Sequence, residues 1–127
     1  MKFLHTMIRV KNIDESLKFY TEVLNMKLDH KKRLEDCWLY FLTDESGCCQ
    51  IELTYNDETP QGGYDIGSGF GHFAFGVESL EDFTQKIEKL GYSYLYPPFD
   101  LTGKGSKIAF IKDPDGYEIE LIEQVKW

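Results

Sequence analysis

The pattern of hydrophobic and polar positions repeats once along the chain. Placing His5 over His72 aligns residues 5–10 with residues 72–77, and apolar residues match at positions 7 and 74, 8 and 75, and 10 and 77. Each segment is followed by apolar side chains spaced three or four residues apart, which predicts an amphipathic helix. The apolar positions of these helices are Ile13, Leu17, Tyr20 and Leu24 in the first half, and Leu80, Phe83, Ile87 and Leu90 in the second.

Short strand-like runs follow each predicted helix. The helices are expected to end at Asn25 and Gly91, since these residue types tolerate the left-handed conformation of a helix C-cap. Three strand-like runs then follow in each half, separated by turn signals. The predicted strands span residues 27–31, 38–43 and 50–55 in the first half, and 92–96, 107–112 and 118–123 in the second. Each half is therefore predicted to be a βαβββ module.

Both modules fit within one domain. A chain of 127 residues suits a single compact domain. We predict one domain over residues 1–127, with module 1 at about 1–56, a linker rich in Gly, Asp and Pro at about 57–68, and module 2 at about 69–127. The predicted fold class is α+β, built by duplication of the module.

Charge and cysteine content narrow the classes of function. The formal net charge of −8 disfavours nucleic acid and anionic membranes as partners. No apolar run approaches the roughly 20 residues that span a bilayer. Three cysteines, an odd number, and no apolar leader in residues 1–5 predict a reducing, cytoplasmic location. Any anionic ligand would need a local cationic pocket in a chain of this charge.

Two histidines and two glutamates recur at equivalent positions of the repeat. His5 and His72 open the first strand of each module, and Glu52 and Glu120 lie on its last strand between Ile and Leu. Taken singly, a strand His is more often structural and a strand Glu is usually solvated. A buried carboxylate needs a partner, and a divalent cation is one. The recurrence of the His and Glu in both modules therefore predicts a metal site.

Five segments, in order along the chain, resemble glyoxalase I of the vicinal-oxygen-chelate (VOC) superfamily. The second of them matches that family's F-Y-x-x-V-L-G-M segment with Asn in place of Gly. The D-P-D-G turn of the last is a weak signal alone, but the ordered set covers nearly the whole chain. The segments are FLHTMIRV (3–10), FYTEVLNM (19–26), IELTYN (51–56), YDIGSGFGH (64–72) and DPDGYEIE (113–120).

The resemblance implies a metal centre. In this family, paired βαβββ modules form a barrel-like cleft around one divalent metal ion. The ligands carried over are His5, Glu52, His72 and Glu120. A short chain with His at the first ligand position looks like the nickel- or cobalt-activated bacterial class, and zinc remains possible. A homodimer is implied, with each site built within one chain or across two.

The resemblance also implies a reaction. Glyoxalase I (lactoylglutathione lyase) converts the hemithioacetal of methylglyoxal and a thiol, usually glutathione, into an S-lactoyl thioester, which detoxifies methylglyoxal. The proton moves between adjacent carbons through an enediolate, so a carboxylate base is needed. Glu120 is the first candidate for that base and Glu52 is its counterpart. Arg9 and Asn56 match positions that contact the glutathione moiety, although the thiol can be a different one.

Three other functions fit the same superfamily. An acyl-CoA epimerase uses similar metal and enolate chemistry. An extradiol dioxygenase or a metal-dependent resistance transferase would bind its metal with a His–His–Glu triad and would not need Glu52 as a fourth ligand. A metal-free protein that sequesters a drug usually lacks all four ligands.

Overall fold

A computed structural model describes residues 1–124 of the chain. The chain divides into two compact units, residues 1–65 and the described part from residue 66 onward. The elements of unit 1 are β1 (His5–Arg9), α1 (Ile13–Lys18), a π-helical turn (Phe19–Val23), β2 (Lys27–Arg33), β3 (Cys37–Thr43) and β4 (Gln50–Asn56). Those of unit 2 are β5 (His72–Val77), α2 (Leu80–Leu90), β6 (Tyr96–Asp100), β7 (Lys107–Lys112) and β8 (Glu118–Glu123). The predicted fold of two βαβββ modules is confirmed.

Each unit holds one four-stranded mixed sheet with the same topology. The strand order is β1-β4-β3-β2 in unit 1 and β5-β8-β7-β6 in unit 2. In both sheets the first strand pairs in parallel with the last, and the remaining pairs are antiparallel. The first and last strands of each unit, which are far apart along the chain, are therefore neighbours.

The helical segment of unit 1 begins at a capping asparagine and ends irregularly. The Asn12 side chain accepts a hydrogen bond of 3.1 Å from the Glu15 amide, which satisfies an unpaired donor of the first turn. The π-helical turn then widens the helix, and Asn25 follows it with a φ of 56°. The predicted helix is present, but its fully buried residues differ from the expected stripe already in α1, and the π turn changes the angular spacing of the side chains from Phe19 onward. The fully buried residues of this segment are Ser16, Phe19, Tyr20 and Val23.

Helix α2 follows the predicted pattern closely. Ser79 caps its N-terminus, and Gly91 ends it in the left-handed conformation with a φ of 84°. Leu80, Phe83 and Ile87 are buried as the spacing predicts, while the last position of the apolar stripe, Leu90, is exposed.

The strand predicted at residues 92–96 is wrong, because β6 begins only at Tyr96. The Tyr92 amide donates to the Ile87 carbonyl at 2.8 Å and so belongs to the helix cap. The side chain of Tyr94 turns back to the helix, where its hydroxyl lies 2.8 Å from the Thr84 hydroxyl. Of the aromatic residues in this segment, Tyr94 packs on α2, and Tyr96 pairs with Phe110 of β7.

The core of each unit lies on one face of its sheet. Side chains alternate across a strand, so Ile119 and Leu121 point away from the face that carries Glu120. Both are fully buried, and α2 contacts the adjacent strands β7 and β8. In unit 1, Ile51 and Leu53 are buried in the same way on either side of Glu52. The opposite face of each sheet is left for polar side chains. None of the helices in residues 1–124 is long and apolar enough to cross a membrane.

Candidate metal centre and active site

A histidine and a glutamate meet in unit 1 across the parallel pair β1–β4. The register places Met7 opposite Glu52, so His5, two residues before Met7, projects from the same face. The His5 Nε2 atom lies 3.2 Å from Glu52 Oε1. Glu52 is only 8% exposed, whereas the imidazole is open to solvent. The carboxylate therefore has its charge partner on its open side.

Unit 2 builds the same pair with the same strands. Ala74 lies opposite Glu120 in the parallel pair β5–β8, and His72 precedes Ala74 by two residues. The His72 Nε2 atom lies 3.0 Å from Glu120 Oε2, and Glu120 is half-buried. The structure thus brings the four predicted ligands together as two pairs, one in each unit. Their role as metal ligands stays a prediction.

An aromatic ring orients each histidine, a feature that the sequence analysis missed. Phe41 of β3 lies opposite Glu52, and Phe110 of β7 lies opposite Glu120. Each ring meets the imidazole of its unit edge to face, with centroids 5.4 Å apart in unit 1 and 5.3 Å apart in unit 2. Such contacts restrict the rotation of the imidazole. The sequence feature that could have predicted this contact is an aromatic residue in the third strand of both modules.

The two glutamates have different surroundings on their inner side. The Thr54 hydroxyl donates to Glu52 Oε2 at 2.7 Å, and Thr54 is itself buried. The residue two positions after Glu120 is Ile122, which has no hydroxyl. Both oxygens of Glu52 therefore have polar partners. Oxygen Oε1 of Glu120 has no partner among the described residues.

The spacing within each pair suits a divalent metal ion. Adjacent ligands of an octahedral metal, with bonds of about 2.1 Å, lie about 3.0 Å apart. The two His–Glu separations are 3.2 and 3.0 Å, and two carboxylates balance the charge of one dication. In residues 1–124, no group of three or more His, Cys, Asp or Glu side chains could hold a metal. Each pair is therefore half of the predicted ligand set.

The predicted substrate-binding residues lie on the same face as the pair of unit 1. Arg9 shares a strand face with His5 and stands four residues away, about 13 Å along an extended strand. Asn56 shares a face with Glu52, and its amide nitrogen donates to the Tyr64 hydroxyl at 2.8 Å. Polar groups thus extend from the His–Glu pair to the far end of β1 and β4.

In unit 2, a glutamine side chain covers the position equivalent to Arg9. Gly76 replaces Arg9 in the repeat, and the Gln124 side chain packs directly over it. Within residues 1–124, the arginine at this position and the hydrogen bond between Asn56 and Tyr64 therefore belong to unit 1, and Gln124 occupies the position of unit 2 equivalent to Asn56.

The remaining histidine and arginine lie outside the two pairs. His30 is exposed, its Nδ1 lies 2.6 Å from Asp29 Oδ2, and its ring stacks on Phe41. Arg33 donates two hydrogen bonds to Asp57, at 2.7 and 2.6 Å, and this guanidinium lowers the pKa of the Asp57 carboxyl. Arg33 is a suitable control for substitutions of arginine, whereas His30 contacts Phe41, the ring that also meets His5.

The sequence model of the Glyoxalase/Bleomycin resistance protein/Dioxygenase superfamily matches residues 2–121. The chain belongs to this superfamily. Within it, the resemblance to glyoxalase I is confirmed by curated relatives and by solved structures.

Two curated relatives illustrate the similarity. A probable lactoylglutathione lyase of Synechocystis is 43% identical over 97% of this chain and 95% of its own length. A lactoylglutathione lyase of Arabidopsis thaliana is 39% identical over 97% of this chain, and the match spans 44% of that longer protein. The chain thus corresponds to nearly all of the cyanobacterial relative and to less than half of the plant one.

Solved structures give the same family. Glyoxalase I from Zea mays superposes with a TM-score of 0.86 at 36% identity, over 98% of this chain and 45% of that one. The trypanothione-dependent glyoxalase I of Leishmania major gives a TM-score of 0.78 at 37% identity, over 97% and 86% of the two chains.

Replacing either paired histidine is expected to weaken metal binding. His5→Ala and His72→Ala should each raise the dissociation constant for Ni²⁺ or Co²⁺ by roughly 10-fold or more, since each removes one ligand. His30→Ala, at the third histidine of the chain, removes a ring that stacks on Phe41 but no predicted ligand, so its dissociation constant should change much less than in the other two variants. Competition with a chromophoric chelator measures all three constants. Equal affinity in all three variants would remove the histidines from the ligand set.

Proposed function

We propose that this chain is a glyoxalase I, a lactoylglutathione lyase that isomerises the methylglyoxal–glutathione hemithioacetal to the S-lactoyl thioester and so detoxifies methylglyoxal. The observation that carries the proposal is the His–Glu pair present on the same strands of both units. The names of the curated relatives and the solved glyoxalase I structures support it.

One divalent ion, Ni²⁺ or Co²⁺ in preference to Zn²⁺, completes the proposed site. His5, Glu52, His72 and Glu120 would hold it. When bound, such an ion supplies Lewis-acid stabilisation of the negative charge that develops on the substrate oxygens. The four side chains fit this role because two imidazole nitrogens and two carboxylates suit a divalent transition metal.

Glu120 is the proposed general base. Its Oε1 has no hydrogen-bond partner among residues 1–124, so this oxygen is available to take the proton from the carbon that carries sulfur. The same carboxyl returns the proton to the adjacent carbon, which was the ketone. A second proton passes between the two oxygens, so the product is an isomer of the hemithioacetal. No electrons are gained or lost overall, and no redox cofactor is required.

Arg9 and Asn56 are proposed to hold the thiol part of the substrate. The guanidinium offers two parallel hydrogen bonds to a carboxylate of the glutathione moiety, a local positive charge in a chain of net charge −8. Asn56 is kept in place by Tyr64. The thiol is the variable part of the substrate, since the Leishmania major glyoxalase I is described as trypanothione-dependent.

The proposed active form is a homodimer. Each unit supplies half of the ligands, so two chains carry enough units for two complete sites. We propose that unit 1 of one chain completes its site with unit 2 of the partner. Exposed apolar residues at and before β1 support an association surface there: Phe3, Leu4 and Met7.

Replacing Glu120 or Glu52 by glutamine separates the effect on metal binding from the effect on proton transfer. Glu120→Gln keeps an oxygen ligand but removes the base, so the turnover number should fall by about 100-fold or more. The variant should retain most of its metal. Glu52→Gln should be the milder change. Metal content and single-turnover rates are measured on both variants, and a slow Glu52→Gln beside a fast Glu120→Gln would transfer the role of base to Glu52.

The two arginines of the chain provide a matched test of substrate binding. Arg9→Ala should raise KM for the glutathione hemithioacetal by roughly 10-fold, because a charge-assisted hydrogen bond is worth about 1.5 kcal/mol or more. Arg33→Ala removes the pair with Asp57 and the hydrogen bond to the Glu35 carbonyl, neither of which involves a proposed substrate-binding residue, and should leave KM unchanged. Steady-state kinetics with methylglyoxal and glutathione gives both values. An effect of equal size in the two variants would contradict a specific role for Arg9.

Complementation between inactive variants tests the exchanged dimer. His5→Ala and His72→Ala chains are unfolded together, mixed in equal amounts and refolded. If each site uses units from two chains, half of the dimers are mixed and each has one intact site, so about one quarter of the sites should recover. Sites built within one chain would recover no tight metal binding and no turnover. Sedimentation velocity on the mixture verifies that dimers have formed.

A further inference from the structure

We infer that Thr54 is a positioning residue that makes the two glutamates unequal, confining Glu52 to holding the metal and leaving proton transfer to Glu120. The inference rests on the proposed function and deepens it. It starts from an asymmetry between two otherwise matching units: a threonine stands two residues after Glu52, and Ile122 stands two residues after Glu120.

The hydroxyl of Thr54 is held where it can act only on Glu52. Strand residues two apart project from the same face, so Thr54 and Glu52 are neighbours along β4. The Thr54 hydroxyl donates to Oε2 at 2.7 Å, while the other oxygen faces His5 at 3.2 Å. Thr54 is 6% exposed, and its backbone is paired with Arg9 on one side and Leu39 on the other. The donor therefore has little freedom to move away.

This hydrogen bond fixes the orientation of the carboxylate. One oxygen is directed to Thr54, so the other is the one presented beside His5 on the open side of the sheet. A ligand that is held by a second hydrogen bond loses less freedom when it binds a metal, and loss of such a bond typically weakens metal affinity by about 10- to 100-fold. Rotation of the Glu52 carboxylate toward a substrate carbon would break the bond to Thr54.

Glu120 is free of that constraint. Ile122 occupies the equivalent strand position, and its side chain cannot donate a hydrogen bond. Only Oε2 of Glu120 is engaged, by His72 at 3.0 Å. A carboxyl group that must take a proton from one carbon and return it to the next needs an oxygen able to follow the substrate, and Glu120 retains one.

Removing the hydroxyl at position 54, and adding one at position 122, tests the inference. Thr54→Val removes the hydroxyl at nearly constant shape, and Thr54→Ser keeps a hydroxyl. The dissociation constant for Ni²⁺ is measured without substrate by competition with a chelator, and kcat and KM are measured at saturating metal. Thr54→Val should weaken Ni²⁺ binding by roughly 10-fold with kcat within about 3-fold of the unchanged protein, and Thr54→Ser should restore the affinity.

Ile122→Thr makes the reverse change in unit 2. A hydroxyl beside Glu120 should lower kcat by about 10-fold, since it ties down the oxygen that moves the proton, while KM is preserved and Ni²⁺ binding is at least as tight as in the unchanged protein. This variant carries the test if Thr54→Val does not fold, as judged by urea unfolding of the metal-free protein. Unchanged kcat in Ile122→Thr would then overturn the inference.

Two further outcomes would overturn it: Ni²⁺ binding by Thr54→Val as tight as that of the unchanged protein, or a loss in Thr54→Ser equal to that in Thr54→Val. The metal-binding arm needs no turnover. If the protein binds Ni²⁺ but does not isomerise the hemithioacetal, the proposed function is wrong. The difference in Ni²⁺ affinity between Thr54→Val and Thr54→Ser would still decide the role of Thr54.

Discussion

A carboxylate buried beside an imidazole is the interaction on which both halves of this chain are organised. Glu52 is placed among apolar neighbours and is almost inaccessible, a position that is costly without a partner. The partner comes from the first strand of the module, because first and last strands pair in parallel. The first strand lies at one edge of the sheet, and the helix that follows it leads the chain to the strand at the other edge. The helix packs on the apolar face, opposite the face that carries the His–Glu pair. The βαβββ order, the core and the polar pair are thus parts of one arrangement.

Duplication kept this arrangement and let its two copies diverge around it. The His–Glu–Phe geometry is nearly identical in the units, down to ring separations of 5.4 and 5.3 Å. The differences lie further along the first and last strands of each unit, where Arg9 and Thr54 of unit 1 correspond to Gly76 and Ile122 of unit 2. Under the proposed function, one unit holds the substrate and anchors the metal, while the other moves the proton. The two His–Glu pairs are alike, but the residues around them differ, and this difference allows two similar units to take different parts in one reaction.

Much of this was predictable from the sequence, since apolar periodicity and the repeat reinforce each other. Strands β7 and β8 lie where predicted, and Gly91 caps α2 as expected. The misplaced strand at Tyr92 shows the limit: its residues have strand propensity, but the helix cap and the contact with Thr84 determine their position. The family and its two modules were recognisable from ordered motifs. The hydrogen bond from Thr54 was not, because a threonine on a strand is ordinary until the register shows which side chain it faces.

The outer edges of the two sheets bear on how the chain avoids unwanted association. Strand β6 contains Pro97 and Pro98, which cannot donate to an added strand, and its register is broken between Tyr96 and Phe99. Strand β2 carries positive charges along its exposed length at Lys31 and Lys32. Proline and lysine on edge strands oppose the strand-by-strand growth that leads to fibrils. Each sheet is therefore protected from amyloid-like stacking by a different means, prolines at the β6 edge and lysines at the β2 edge.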